Sequence, residues 1–125
     1  MTNAKFVGEM PHAVLFLFDA KYDSVEIPDY EEGHAVVSSN SALNIAVVPD
    51  FEGETSIELG VIDDAALQGL EFLGVFKVFC PTRQIDINSS EQEGLASYSL
   101  TSTTANLKVY VDEPDYASLV KIVVA

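Results

Sequence analysis

The sequence is short of positive charge: six Lys and Arg stand against twenty Asp and Glu in 125 residues, a formal net charge of −14. That shortage excludes nucleic acid as a direct partner, because neutralising phosphates takes clustered Lys and Arg. It also excludes an anionic membrane surface, which would repel the chain. Tryptophan is absent, and the single cysteine, Cys80, closes no intramolecular disulfide. An unpaired cysteine suits a reducing cytosol. The early apolar run Ala13–Phe18 stops after six residues at Asp19. An export signal needs roughly 7–15 apolar residues, and a membrane span about 20. Asn88-Ser89-Ser90 matches a glycosylation sequon but has no secretory route to give it meaning. The expectation is a cytoplasmic protein.

Catalytic signatures are missing as well. There is no Gly-rich phosphate loop, nucleophile elbow, HExxH or CxxC. His12 and His34 are the only histidines, each opening a strand-like run, and His34 beside Glu31 and Glu32 reads as a surface pair. Cys80, between Phe79 and Pro81, reads as a small buried hydrophobe. The sequence predicts no enzyme, no cofactor and no metal.

What is present is apolar material, 48% of residues. A domain of this length buries roughly 65–70% of its unfolded surface, so residues 1–125 are read as one acidic domain rather than a disordered chain. The run 13–18 is apolar throughout, as for a central strand covered on both faces. His34–Val37 and Ala42–Val48 follow, divided by the turn cluster 38–41. Ile57, Leu59 and Val61 alternate with Ser56, Glu58 and Gly60, and Leu107, Val109 and Val111 with Lys108 and Tyr110. That period of two marks half-buried strands. Phe72–Phe79, Ile85–Ile87, Ala96–Leu100 and Leu119–Val124 complete the set. Only 63–71 reads as a helix, limited to about two turns by Gly69. Eight or nine strands and at most one short helix predict an all-β fold, an antiparallel β-sandwich, with a small barrel as the alternative.

The acid is unevenly spread. No Lys or Arg lies between Lys21 and Lys77, and residues 22–76 carry −12 of the charge. Such density opposes compaction beyond what solubility requires. One reading is a merely solvating or halophilic surface. The sharper one is a face for a basic protein partner, whose encounter it speeds roughly 10–1000-fold at low salt. With no Trp and one Arg, the aromatic anchors must be Tyr and Phe. Tyr22, Tyr30 and Phe51 are the candidate anchors, and Asp29, Glu31, Glu32, Asp50, Glu52 and Glu54 the steering carboxylates. Two other classes stay open: an assembly module of phage or capsid type, and a calcium-dependent sandwich drawing ligands from Asp29, Glu31 and 112–115. The oligomeric state is not readable from sequence.

Leu15-Phe16-Leu17-Phe18-Asp19, followed by Pro28-Asp29-Tyr30 and Gly33-His34-Ala35, resembles the opening of the competence-protein J family. Val75–Val78 with Gln84–Ile87 is similar to the family's middle hairpin, and Pro114-Asp115-Tyr116 to its turn before the last strand. The family's tryptophan after the first acidic loop is missing here, and its late glycine is replaced. The resemblance implies a small β-sandwich and a non-catalytic inhibitor of a DNA-cleaving nuclease. It carries no individual inhibitory residue onto this chain. The leading expectation is therefore an inhibitor or immunity-type protein that occludes the basic cleft of a nuclease or toxin.

Overall fold

The alternating runs assemble into two facing sheets. The computed structural model describes residues 2–29, 31 and 33–125. Its strands are β1 (Ala4–Gly8), β2 (Val14–Phe18), β3 (Val36–Ser38), β4 (Ala42–Ala46), β5 (Thr55–Gly60), β6 (Glu71–Phe79), β7 (Gln84–Asn88), β8 (Ala96–Ser99), β9 (Thr104–Val111) and β10 (Leu119–Val124). One sheet has the order β1-β5-β10-β9-β6, the other β3-β4-β2-β7-β8. Every strand pairing is antiparallel except β5 with β10.

The expected all-β sandwich is what forms, with ten strands instead of eight or nine. The additional one, β1, reads Ala-Lys-Phe-Val-Gly, too poor in β-formers to stand out. The predicted helix is a single 3-10 turn, Asp64–Leu67. Geometry explains the shortfall. Because β5 and β6 run parallel with β10 and β9 between them, their connection must step three strand spacings sideways, about 14 Å. It must also travel back along the sheet, whereas a nine-residue helix rises only about 13 Å. Mostly extended chain is needed.

The core lies between the sheets. Leu15, Leu17, Leu43, Ile45, Ile85 and Ile87 from one sheet meet Ile57, Leu59, Leu107, Val109 and Ile122 from the other. Each such side chain contributes about 1.5–3 kcal/mol by leaving water. In β9 the buried Ala105, Leu107, Val109 and Val111 alternate with outward Thr104, Asn106, Lys108 and Tyr110. β2 sits at the centre of its sheet, between β4 and β7. Its outward residues Val14 and Phe16 are half-buried because the described residues 19–29, 31 and 33–35 fold back over that face as a strap. The doubly covered strand read from the sequence is this one.

Two wholly buried carboxylates root the strap where it leaves β2. Asp19 accepts from Lys21 N at 3.0 Å, and from Thr82 N and Thr82 Oγ1 at 2.8 Å. Asp86 accepts from Ala20 N and Gln84 Nε2, each at 2.8 Å, and from the Ser97 hydroxyl. Charge-assisted bonds of this kind are short and strong, and they compensate for burial of the anions. They join the exit of β2 to the β6–β7 turn and to β8. Farther along, Glu26 N donates to Ser41 Oγ at 2.8 Å and Asn44 Nδ2 to Pro28 O at 3.0 Å, which pins the strap across β4.

Candidate functional site

At the end of the sandwich where β2 begins and β4 ends, four loops meet. They are 9–13, 47–54, 89–95 and 112–118. Direct bonds tie them together. Val47 N donates to Ala13 O at 3.0 Å, and Val48 N to Ala117 O at 3.0 Å. Val47 and Ala117 form a parallel bridge between the two sheets. His12 Nδ1 meets Ser90 Oγ at 2.6 Å, and the Tyr116 hydroxyl donates to the Glu52 carboxylate.

Together these loops carry Glu9, Asp50, Glu52, Glu54, Glu91, Glu93, Asp112, Glu113 and Asp115, with no Lys or Arg. All but Asp50 are exposed. Phe51, on the 3-10 turn Asp50–Glu52, is 85% exposed. It does not fold back over the sandwich end. It is the most exposed of the large apolar side chains among the described residues, and aromatic residues are enriched at protein interfaces.

Two side chains hold the shape of this end. Burial works against the Asp112 carboxylate, but it is outweighed by bonds from Ser118 Oγ and from the backbone N–H groups of Leu119, Ser118 and Glu113. The net effect lowers its pKa below the usual carboxylate value, and Asp112 closes the 112–118 turn. The bond to Glu52 raises the Tyr116 hydroxyl's pKa above its ordinary value and couples the Phe51 turn to that loop.

The predicted site residues divide among several places. Asp50, Phe51, Glu52 and Glu54 belong to the acidic end. Asp29 and Glu31 lie exposed on the strap, where Glu31 pairs with His34 at 3.5 Å. Tyr22 lies at the opposite end of β2, with its ring edge-on to Phe79 at 5.6 Å between centroids. It is half-buried there and does not share a surface with Phe51. Tyr30 and Glu32 lie outside the described residues. The calcium set also divides, because Asp112 is engaged within its own turn while Asp29 and Glu31 sit on the strap. Among the described residues no group of three or more His, Cys, Asp and Glu is placed to hold a metal ion.

Sequence reasoning missed Glu91, Glu93, Asp112, Glu113 and Asp115 as parts of one surface, because they belong to a segment with little net charge. Conversely, Glu58 falls within the acidic interval but lies on β5, 2.9 Å from Lys121 Nζ and 3.9 Å from Lys5 Nζ. A bond from Asn3 first, and then the one from Lys121, lowers its pKa. Cys80 is buried. Burial first, and then the Asp19 and Asp86 charges, pushes its pKa up to about 12, so the thiol is not a nucleophile near neutral pH.

A groove of about 620 Å³ adjoins the acidic end. Its floor is the outer face of β2, β3 and β4, with Phe16, Asn44 and Val37 in one cross-strand row and Val14 beside Ala46. Ile27, Pro28, Asp29 and His34 of the strap form one wall, and His12 and Ala13 close the end next to the acidic loops. Both of those residues hold left-handed backbone conformations, at φ 60° and 56°. Such angles are uncommon outside glycine and persist only where surrounding structure imposes them.

No protein-family model matches the sequence, and no curated protein does. The fold is similar to that in the crystal structure of ComJ, inhibitor of the DNA degrading activity of NucA, from Bacillus subtilis. The TM-score is 0.70 over 99% of this chain and 94% of that one, at 10% sequence identity. The resemblance to the competence-protein J family read from the sequence is thus borne out in the fold.

Proposed function

We propose that this protein is a non-catalytic inhibitor of the immunity type, acting in the cytoplasm on a basic nuclease whose DNA-binding cleft it occludes. One observation carries the reading: four loops present nine carboxylates around the exposed Phe51, with no Lys or Arg among them. Carboxylates gathered at one end of the sandwich stand in for the phosphates of DNA in a cleft built to receive them. The shared fold with a protein that inhibits a DNA-degrading nuclease supports the choice of partner class.

In this reading Phe51 is the anchor, while Asp50, Glu52, Glu54, Glu91, Glu93 and Asp115 steer the encounter. Asp29 and Glu31 of the strap extend the surface. Tyr22 belongs to the scaffold. Tyr116 positions the Phe51 turn through Glu52.

The test is affinity capture from the native lysate at low salt with identification of the bound proteins, followed by a DNA-cleavage assay of the captured nuclease with added inhibitor. The expected result is a basic nuclease that elutes as salt approaches 1 M, where the Debye length is about 3 Å, and whose cleavage the protein blocks. Phe51→Ala should weaken binding at least tenfold without changing the fold. Capture that survives molar salt undiminished, or a captured nuclease that still cleaves, would exclude this mechanism.

A further inference from the structure

The groove under the strap is an apolar slot beside a strongly acidic surface, and that combination selects its ligand. Seven of its eleven lining residues are apolar, Val14, Phe16, Ile27, Val37 and Ala46 among them, yet Asp29 stands on its wall with Glu31 two residues farther along the strap. We infer that the groove seats one arginine side chain of the protein partner. The assignment rests on the inhibitor reading above, since it takes the partner to be basic.

The argument runs through the two halves of the arginine side chain. Its methylene stem is buried readily along apolar walls. The guanidinium is weakly hydrated, stacks on aromatic faces such as that of Phe16, and offers a planar fork to a carboxylate such as Asp29. A lysine ammonium is a strongly hydrated point charge and suits these walls less well. A neutral apolar group would leave Asp29 unpaired and gain nothing from the surrounding negative potential, which concentrates cations at this surface.

Two structural features show that the slot is held open rather than merely left over. Asn44, nine-tenths buried on the floor, spends Nδ2 on Pro28 O and so fixes the strap above β4. Its Oδ1 is buried with no partner among the described residues. A guanidinium seated deep enough to reach that oxygen brings the N–H it lacks. At the other end, His12 and Ala13 keep their left-handed conformations through the bonds to Ser90 and Val47, which set the boundary between groove and acidic loops. An arginine in the groove would therefore sit beside the surface that meets the partner's cleft. It would lock orientation where the carboxylates supply attraction.

The experiment is a methyl-resolved NMR titration of the whole protein with N-acetyl-arginine amide, with the neutral isostere N-acetyl-citrulline amide as control. The arginine compound should produce saturable shifts at Val14, Val37 and Ala46, and citrulline should bind at least tenfold more weakly. Ala46→Phe fills the groove from an open face and should abolish those shifts while leaving the core spectrum intact. Equal binding of citrulline, shifts confined to the acidic loops, or shifts that survive Ala46→Phe would overturn the assignment. The same variant separates this inference from the functional reading. If Ala46→Phe inhibits the captured nuclease as well as the unmodified protein does, the groove assignment falls and the inhibitor stands. If the unmodified protein captures no basic nuclease, the inhibitor reading falls, and the assignment of the groove to its partner falls with it.

Discussion

The two ends of this sandwich treat the same side chain in opposite ways. Where β2 leaves the sheet, Asp19 and Asp86 are wholly buried and surrounded by N–H and O–H donors from three segments. Where β2 enters, eight of the nine loop carboxylates are exposed, and no Lys or Arg lies among them. The first arrangement stabilises the fold, because removing a buried acceptor leaves several donors without partners. The second opposes it through mutual repulsion. A surface that costs stability in the free protein is understandable if it is used in a complex, and that contrast is the physical basis of the function proposed here.

Substitutions at the two ends should therefore have opposite signs. The largest effect is expected at the buried end. Asp86→Ala strands the Ala20 N–H, the Gln84 amide and the Ser97 hydroxyl, and should cost about 3 kcal/mol in urea unfolding. A loss under 1 kcal/mol would mean that the network is not what holds the strap.

An intermediate effect belongs to Glu58, which lies between the ends and, unlike the loop acids, has cations beside it. Glu58→Gln should cost about 1 kcal/mol at pH 7. Its folded pKa is lowered from 4.5, so the stability it contributes is present above that value and is lost as the pH falls through the lower folded value. The variant and the unmodified protein should converge in acid. A difference that persists unchanged well below pH 4 would remove the charge from the explanation.

The smallest effect is expected at the exposed end, and it is the one that reverses sign. Glu91→Gln, Glu93→Gln and Asp115→Asn together should raise the melting temperature at low salt by a few degrees, a few tenths of a kcal/mol per charge. The gain should vanish near 1 M salt, where screening removes the repulsion. Asparagine tolerates the left-handed backbone of Asp115, at φ 66°. Destabilisation by this triple variant would show that the loop carboxylates are structural, and the contrast between the ends would disappear.

Much of the fold was legible because alternation is a local signal. The pattern over 107–111 places Leu107, Val109 and Val111 inside and Lys108 outside, as found. The uninterrupted run 13–18 reads as a central strand, and Val14–Phe18 of it forms one. β1 was not legible, since its short, weakly β-forming sequence is held by pairing with β5, 47 or more residues away in the chain. The buried carboxylates left one faint trace: Asp86 sits in strand register between the core residues Ile85 and Ile87. A charge on the covered central part of a sheet requires partners, but nothing local says that they come from Ala20 and Ser97.

The candidate site was legible in part for a related reason. Phe51 between Asp50 and Glu52 stood out as an aromatic residue at a polar turn, and it is exposed. The carboxylates that surround it come mostly from segments the charge map passed over. The sequence by itself determined the acid excess, the strand periodicity and the anomalous Phe51, because these are properties of composition and of neighbours along the chain. Only the tertiary structure decided which acids share a surface and where a groove opens beside them. Sheet pairing brings residues 9, 52, 91 and 115 to one end while the buried Asp19 and Asp86 are held at the other, and a sum of charges along the chain contains no information about that pairing.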